Sequence, residues 1–97
     1  MPMFVMLSHL TDHGRKTLQE RPERLREVNA EVEAMGARIH AQYACLGGFD
    51  FVNVIEAPSN DAMMRISMEL GSRGTIRIET LAAMGITPLV DALQGKT

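Results

Sequence analysis

Asp50 stands between Phe49 and Phe51 in an apolar stretch, and a carboxyl group placed there needs a hydrogen-bonding or cationic partner, or else its pKa rises. One reading is structural, with the carboxylate accepting backbone amides near a helix start or pairing with Arg73. The other gives it a ligand to hold. His40, Gln42 and Asn53 form a second group, in which an imidazole and two amides beside Phe51 could orient a small planar molecule or bond one another across a dimer seam. Arg77 and Glu79 join that group if their side of the last strand faces away from the helices. His9 and His13 invite a metal, but a strand end and a helix cap intervene, and two imidazoles are too few to enclose zinc without a third group such as Asp12 or Asp50. No metal and no cofactor are therefore expected. Residues 71–74, Gly-Ser-Arg-Gly, could cradle an anion with Arg73, but they follow a helix, whose dipole opposes that use. Cys45 has no adjacent base or cation and reads as a small buried hydrophobe, and Met63, Met64 and Met68 read as core and interface filler.

The elements that position these groups follow from patterning. In YACLGGFDFVNVIE, residues 43–56, two strand-like runs meet at Gly47 and Gly48, which predicts a two-residue turn with both glycines at positive φ. That turn pairs Cys45 with Asp50, Tyr43 with Val52, Gln42 with Asn53 and His40 with Ile55. Strict alternation then puts Ile39, Ala41, Tyr43, Cys45, Val52 and Val54, with Asp50 and Glu56 at the ends, on a face under helices. It puts His40, Gln42, Ala44, Phe49, Phe51, Asn53 and Ile55 on an open one.

Residues 3–8 are nearly all apolar and read as a strand buried on both sides. A helical segment follows, capped by Thr11 or Asp12, interrupted near Pro22, striped by Leu25, Val28, Val32 and Met35, and stopped at Gly36. A second helix from about Asn60 to Leu70 is capped by Ser59 and buries Met63, Ile66 and Leu70. Residues 75–81 alternate Ile76 and Ile78 with Arg77 and Glu79 as a last strand, before a short helix from Thr87 and Pro88 through Leu93. Right-handed crossovers turn this βαββαβ order into an α+β, ferredoxin-like four-stranded antiparallel sheet with its helices on one face. The end of the first strand, the hairpin turn with Asp50, the start of the first helix and the loop at 71–75 then share one edge.

A helix-free face carrying large apolar side chains needs a cover, because each exposed one forfeits roughly 1.5–3 kcal/mol. A second copy stacked sheet to sheet supplies it, so a homodimer is expected. Length and composition suit one domain over residues 1–97, and 23% charged with 45% hydrophobic residues is ordinary for a globular chain and gives no sign of disorder. A net charge of −2 with interspersed signs leaves no basic stripe for nucleic acid or membrane. The chain offers no membrane-length apolar run and no basic leader, and its lone cysteine suits a reducing compartment, so a cytoplasmic location is expected.

Gly48, Phe49 and Asp50, with MFVMLSHLTDHGRKTLQERPER, EVEAMGARIHAQYACLGGFDFVNVIEAP and SMELGSRGTIRIETL, give the chain a resemblance to the GYD-domain family over about residues 3–90. Phe49 stands where the family's name implies tyrosine. The resemblance implies a dimeric α+β barrel, similar to the group that includes small cofactor-free monooxygenases, muconolactone isomerase and effector-binding domains of some regulators. It implies no reaction.

No nucleophile and base occur at a diagnostic spacing, and phosphate and nucleotide signatures are missing. The expected function is small-ligand binding in or beside the barrel, with a cofactor-free enzyme or a purely structural oligomer as alternatives. The candidate ligand-binding residues are His9, His40, Gln42, Phe49, Asp50, Phe51, Asn53, Arg73, Arg77 and Glu79.

Overall fold

A computed structural model describes residues 1–95 of the chain. The elements run β1 (Met3–Leu10), α1 (Asp12–Glu20), α2 (Arg24–Ala34), β2 (Arg38–Ala44), β3 (Phe51–Glu56), α3 (Asn60–Gly71), β4 (Ile76–Ala83) and α4 (Ile86–Leu93). Their boundaries have local causes. Thr11 caps α1, its Oγ1 accepting from the Gly14 N–H at 3.0 Å. Pro22, which has no N–H to continue the ladder, separates α1 from α2. Gly36, at φ 98°, reverses the chain after α2. Ser59 caps α3 by accepting from the Ala62 N–H at 3.1 Å.

The four strands form an antiparallel sheet in the order β2-β3-β1-β4, the ferredoxin-like split-βαβ arrangement. Its register separates two faces. One carries the row Ile39, Ile55, Phe4 and Ala82, then Gln42, Asn53, Met6 and Thr80, then Ala44, Phe51, Ser8 and Ile78. Phe4, Met6 and Ile55 pack there with Val32 of α2 and with Met63, Ile66 and Leu70 of α3 as the core. The other face carries Ala41, Val54, Val5 and Leu81 in one row and Tyr43, Val52, Leu7 and Glu79 in the next. No helix covers it.

This assignment inverts the alternation expected for the central hairpin. Phe51, Asn53 and Ile55, expected on the open face, lie under the helices, while Val52 and Val54 take the open side. On β2 a bulge falls between Ile39 and Ala41, so Ile55 pairs with Ile39 and not with His40. The extra residue, His40, stays on the open side, whereas Gln42 moves to the helix side. The turn also differs. The Cys45 N–H donates to the Asp50 carbonyl at 2.7 Å, so four residues close the loop, and of its two glycines only Gly47 has positive φ. Cys45 is half-buried rather than core, and Leu25 and Met35 are partly exposed at the ends of the α2 stripe.

α4 stands apart. Ile86 and Leu93 are 75% and 79% exposed, Leu89 and Val90 are also open, and no residue of the helix is buried. The described residues span 51 × 29 × 19 Å with a radius of gyration of 14.8 Å, against roughly 12–13 Å for a compact chain of this length. No described helix is long and apolar enough to cross a membrane.

Candidate functional site

A cavity of about 340 Å³ lies between the sheet and the helix layer, walled by Leu18 of α1, by Leu25, Val28 and Val32 of α2, and by Leu70 and Ile76. Its floor is the helix-side face of β1, β2 and β3, including Met6, Ser8, Gln42, Phe51, Asn53 and Ile55. Four of the expected site residues therefore meet here: Gln42, Phe51, Asn53 and Arg73.

Two polar bridges link α2 to neighbouring elements beside the cavity. In the first, Asn29 Nδ2 donates to Gln42 Oε1 at 2.8 Å while Gln42 Nε2 donates to Asn29 Oδ1 at 3.1 Å and to Asn53 Oδ1 at 2.7 Å. In the second, the Arg73 guanidinium donates to Glu31 at 2.5 Å and to Glu69 at 3.1 Å. Arg73 thus pairs with glutamates of α2 and α3, and not with Asp50 as expected. The Arg73 hydrogen bond holds the Glu31 carboxyl below its ordinary value of 4.5, with a smaller contribution from Arg24 against the opposing effect of desolvation. A carboxyl whose pKa is lower in the folded chain contributes stability above the unfolded value and loses it as pH falls through the folded value. The melting temperature is therefore expected to drop between about pH 5 and pH 3, and less steeply in Glu31→Gln. Equal slopes in the two proteins would show that the bridge contributes nothing.

Asp50 serves a different corner. Its Oδ2 accepts the Leu10 N–H at 2.7 Å and lies 3.7 Å from the Arg15 guanidinium, while its own N–H donates to the Ser8 carbonyl at 2.8 Å. These bonds tie the β2–β3 loop to the junction of β1 and α1, and Phe49 packs against His9 with ring centroids 4.6 Å apart and the ring planes tilted by 38°. The Thr11 N–H donates to the Thr75 carbonyl at 3.0 Å, and the Thr11 hydroxyl donates to the Gly74 carbonyl at 2.7 Å. The strand end, the turn, the first helix start and the loop before β4 thus meet at one edge.

The remaining expected residues, His40, Arg77 and Glu79, belong to the open sheet face. His40 Nε2 lies 2.6 Å from Glu56 Oε1, and that hydrogen bond is the main cause holding the Glu56 carboxyl below its ordinary range. The ten residues are therefore spread over a cavity, a corner and a rim. Ser8, expected only among the polar groups of the corner, and Asn29 are not among the ten candidate residues. A polar residue near the end of the apolar β1 run and an amide on the same helical stripe as Leu25 and Val32 were the signals that could have found them. Among the described residues no group of three or more His, Cys, Asp or Glu is placed to hold a metal ion.

Together these features define a small ferredoxin-like α+β domain with an amphipathic chamber under its helices and an apolar sheet face without one. A family model for the GYD domain matches residues 4–93, and the chain belongs to the GYD domain family. A protein of Thermus thermophilus named "Glutamine synthetase and cystathionine beta-lyase binding protein" is 46% identical over 95 residues, spanning 97% of this chain and 100% of that one. Two solved structures share the fold. The crystal structure of FFRP-DM1 gives a TM-score of 0.57 at 17% identity, covering 87% of this chain and 100% of that one. An unknown protein from Galdieria sulphuraria gives 0.57 at 19% identity, covering 90% of this chain and 47% of that one.

Proposed function

We propose that this protein is a small homodimeric binding protein, which joins a second copy through its open sheet face, docks on metabolic enzymes, and takes a small molecule in the cavity under α2. The observation that carries this reading is the open face itself. An apolar centre of Val5, Leu7, Val52, Val54 and Leu81 is bordered by Arg38, His40, Glu56, Arg77 and Glu79, the arrangement of an interface with a desolvated core and a polar rim. The apolar stripe of α4 adds support, because a short isolated helix is marginal in water and gains stability from packing. The relative's name supplies the kind of partner: glutamine synthetase and cystathionine beta-lyase.

The enzyme alternative receives less support. A cofactor-free catalyst of the monooxygenase or isomerase type needs an acid, an imidazole or a thiol facing its substrate. The cavity lining holds none of these, and the closest imidazole–carboxylate pair, His40 and Glu56, sits on the opposite face of the sheet. A cytoplasmic location, where the lone Cys45 would stay reduced, belongs to the same proposal.

Titration calorimetry with the glutamine synthetase and the cystathionine beta-lyase of the same cell tests the partner assignment. Saturable binding to at least one of them is expected. Heat of dilution alone with both would remove the enzymes as partners.

A further inference from the structure

We infer that the cavity under α2 binds a small uncharged molecule with an apolar body and one hydrogen-bond-accepting oxygen, and that Asn53 and Ser8 recognise that oxygen. The inference rests on the reading of this chain as a binding protein and specifies the chemistry of its chamber.

Size comes first. A volume of about 340 Å³ falls within the roughly 300–1,000 Å³ of small-molecule pockets and exceeds the roughly 30 Å³ share of one water about tenfold. It is therefore more than a packing defect. The walls are apolar, made by Met6, Leu18, Leu25, Val28, Phe51 and Ile76.

Polarity comes second. Ser8 and Asn53 are buried to 2% and 6% exposure, yet both line the chamber. They are diagonal neighbours on adjacent strands, because Ser8 pairs with Phe51 and Asn53 pairs with Met6. The reciprocal bonds between Asn29 and Gln42 set the Gln42 amide, whose Nε2 then donates to Asn53 Oδ1. With its oxygen taken, Asn53 has its NH2 left to offer. Among the described residues no fully enclosed side-chain nitrogen or oxygen lacks a partner. The Asn53 NH2 and the Ser8 hydroxyl, which donate to no described protein group, therefore open into the chamber as donors. The complement of two adjacent donors is an acceptor oxygen, such as a carbonyl.

Charge comes third. Arg24 and Arg73 reach the lining, but Glu27, Glu31 and Glu69 already engage their guanidinium groups, and no carboxylate or imidazole lines the space. An ionised ligand would lose its hydration and find no free counter-charge. Amino acids and carboxylates are excluded on that ground, whatever enzymes the protein docks on.

Four probes of similar small size separate the possibilities: acetophenone, isopropylbenzene, benzoate and L-glutamine, each titrated into uniformly 15N-labelled protein. Acetophenone is expected to shift the side-chain amide signals of Asn53 and Gln42 saturably. It should bind roughly three- to tenfold more tightly than isopropylbenzene, the difference one neutral hydrogen bond makes. Benzoate and glutamine should leave the signals in place. Asn53→Leu should abolish the preference for acetophenone, and Ser8→Ala carries the same comparison if Asn53→Leu does not fold. Val28→Phe, which fills the chamber, should abolish binding of both neutral probes. Equal affinity for acetophenone and isopropylbenzene would overturn recognition of the oxygen. Stronger binding of benzoate or glutamine at these signals would overturn the uncharged class while leaving a ligand chamber in place. No response to any probe, in protein that still binds its partner enzymes, would remove the chamber as a ligand site and leave the docking role standing.

Discussion

Gly14→Ala is expected to lower stability by about 3 kcal/mol or more, enough to leave a marginal domain largely unfolded at physiological temperature. Gly14 is buried where α1 passes against the loop before β4. A methyl group there would land on the Thr75 carbonyl oxygen, with the Thr75 carbonyl carbon at 2.9 Å and its Cα at 3.2 Å. The obstacle is backbone, so no side-chain rotation relieves it. That carbonyl is also held as the acceptor for the Thr11 N–H at 3.0 Å, and the Thr11 hydroxyl both donates to the Gly74 carbonyl and caps Gly14. Moving Thr75 away breaks the clamp that fastens α1 to the sheet edge. Gly48→Ala is the control, since its site has no neighbouring atom within 4 Å and no positive φ, and it should change stability by no more than about 0.5 kcal/mol. Urea unfolding followed by circular dichroism gives both numbers, and a Gly14→Ala midpoint equal to that of the natural protein would refute the clamp.

Much of this architecture is legible in the residues because local chemistry and tertiary structure agree. Thr11 and Ser59 are caps, Pro22 splits two helices, Gly36 closes the second, and Met63, Ile66 and Leu70 recur at helical spacing on the buried side of α3. The convergence of the first strand end, the Asp50 turn and the 71–75 loop follows from topology alone, and hydrogen bonds from Leu10, Thr11 and Asp50 realise it.

The faces of the hairpin were not legible, for two physical reasons. A bulge adds one residue at His40 and shifts every later side chain of β2 to the other face, and nothing in ARIHAQYA marks where it falls. The second reason is the chamber. Valines normally mark the core and amides the solvent side, but here Asn53 and Gln42 lie beneath helices because α2 leaves a space there, with its own Asn29 to bond them. Val52 and Val54 look outward, on the face proposed above as the junction between two copies. The same inversion moved Gln42, Phe51 and Asn53 out of the expected barrel interior and separated them from His40, Arg77 and Glu79. Of the two readings of Asp50, the structure shows the backbone-amide bond near a helix start, from Leu10, with Arg15 and not Arg73 as the neighbouring cation.

Val54→Asp is expected to convert a stable dimer into a folded monomer. Val54 sits between Ala41 and Val5 at the middle of the open face, with Leu81 beyond Val5 in the same row. In a two-fold junction this row meets its own copy, so one substitution places two carboxylates in the desolvated centre. Each buried, unpaired charge costs about 3 kcal/mol or more, and the pair would weaken association by roughly four orders of magnitude. The fold should survive, because Val54 lies outside the core of Phe4, Met6, Val32, Ile55, Met63, Ile66 and Leu70 on the other side of the sheet. Gln19→Asp on exposed α1 adds the same charge where no junction is proposed and should leave the mass unchanged. Light scattering after gel filtration at micromolar concentration is expected to return twice the 10.7 kDa chain mass for the natural protein and for Gln19→Asp, and the single mass for Val54→Asp with an unaltered circular dichroism spectrum. A natural protein that elutes as one chain would end the dimer proposal, and a Val54→Asp variant that remains dimeric would move the junction to another surface, of which the exposed stripe of Ile86, Leu89, Val90 and Leu93 is the foremost.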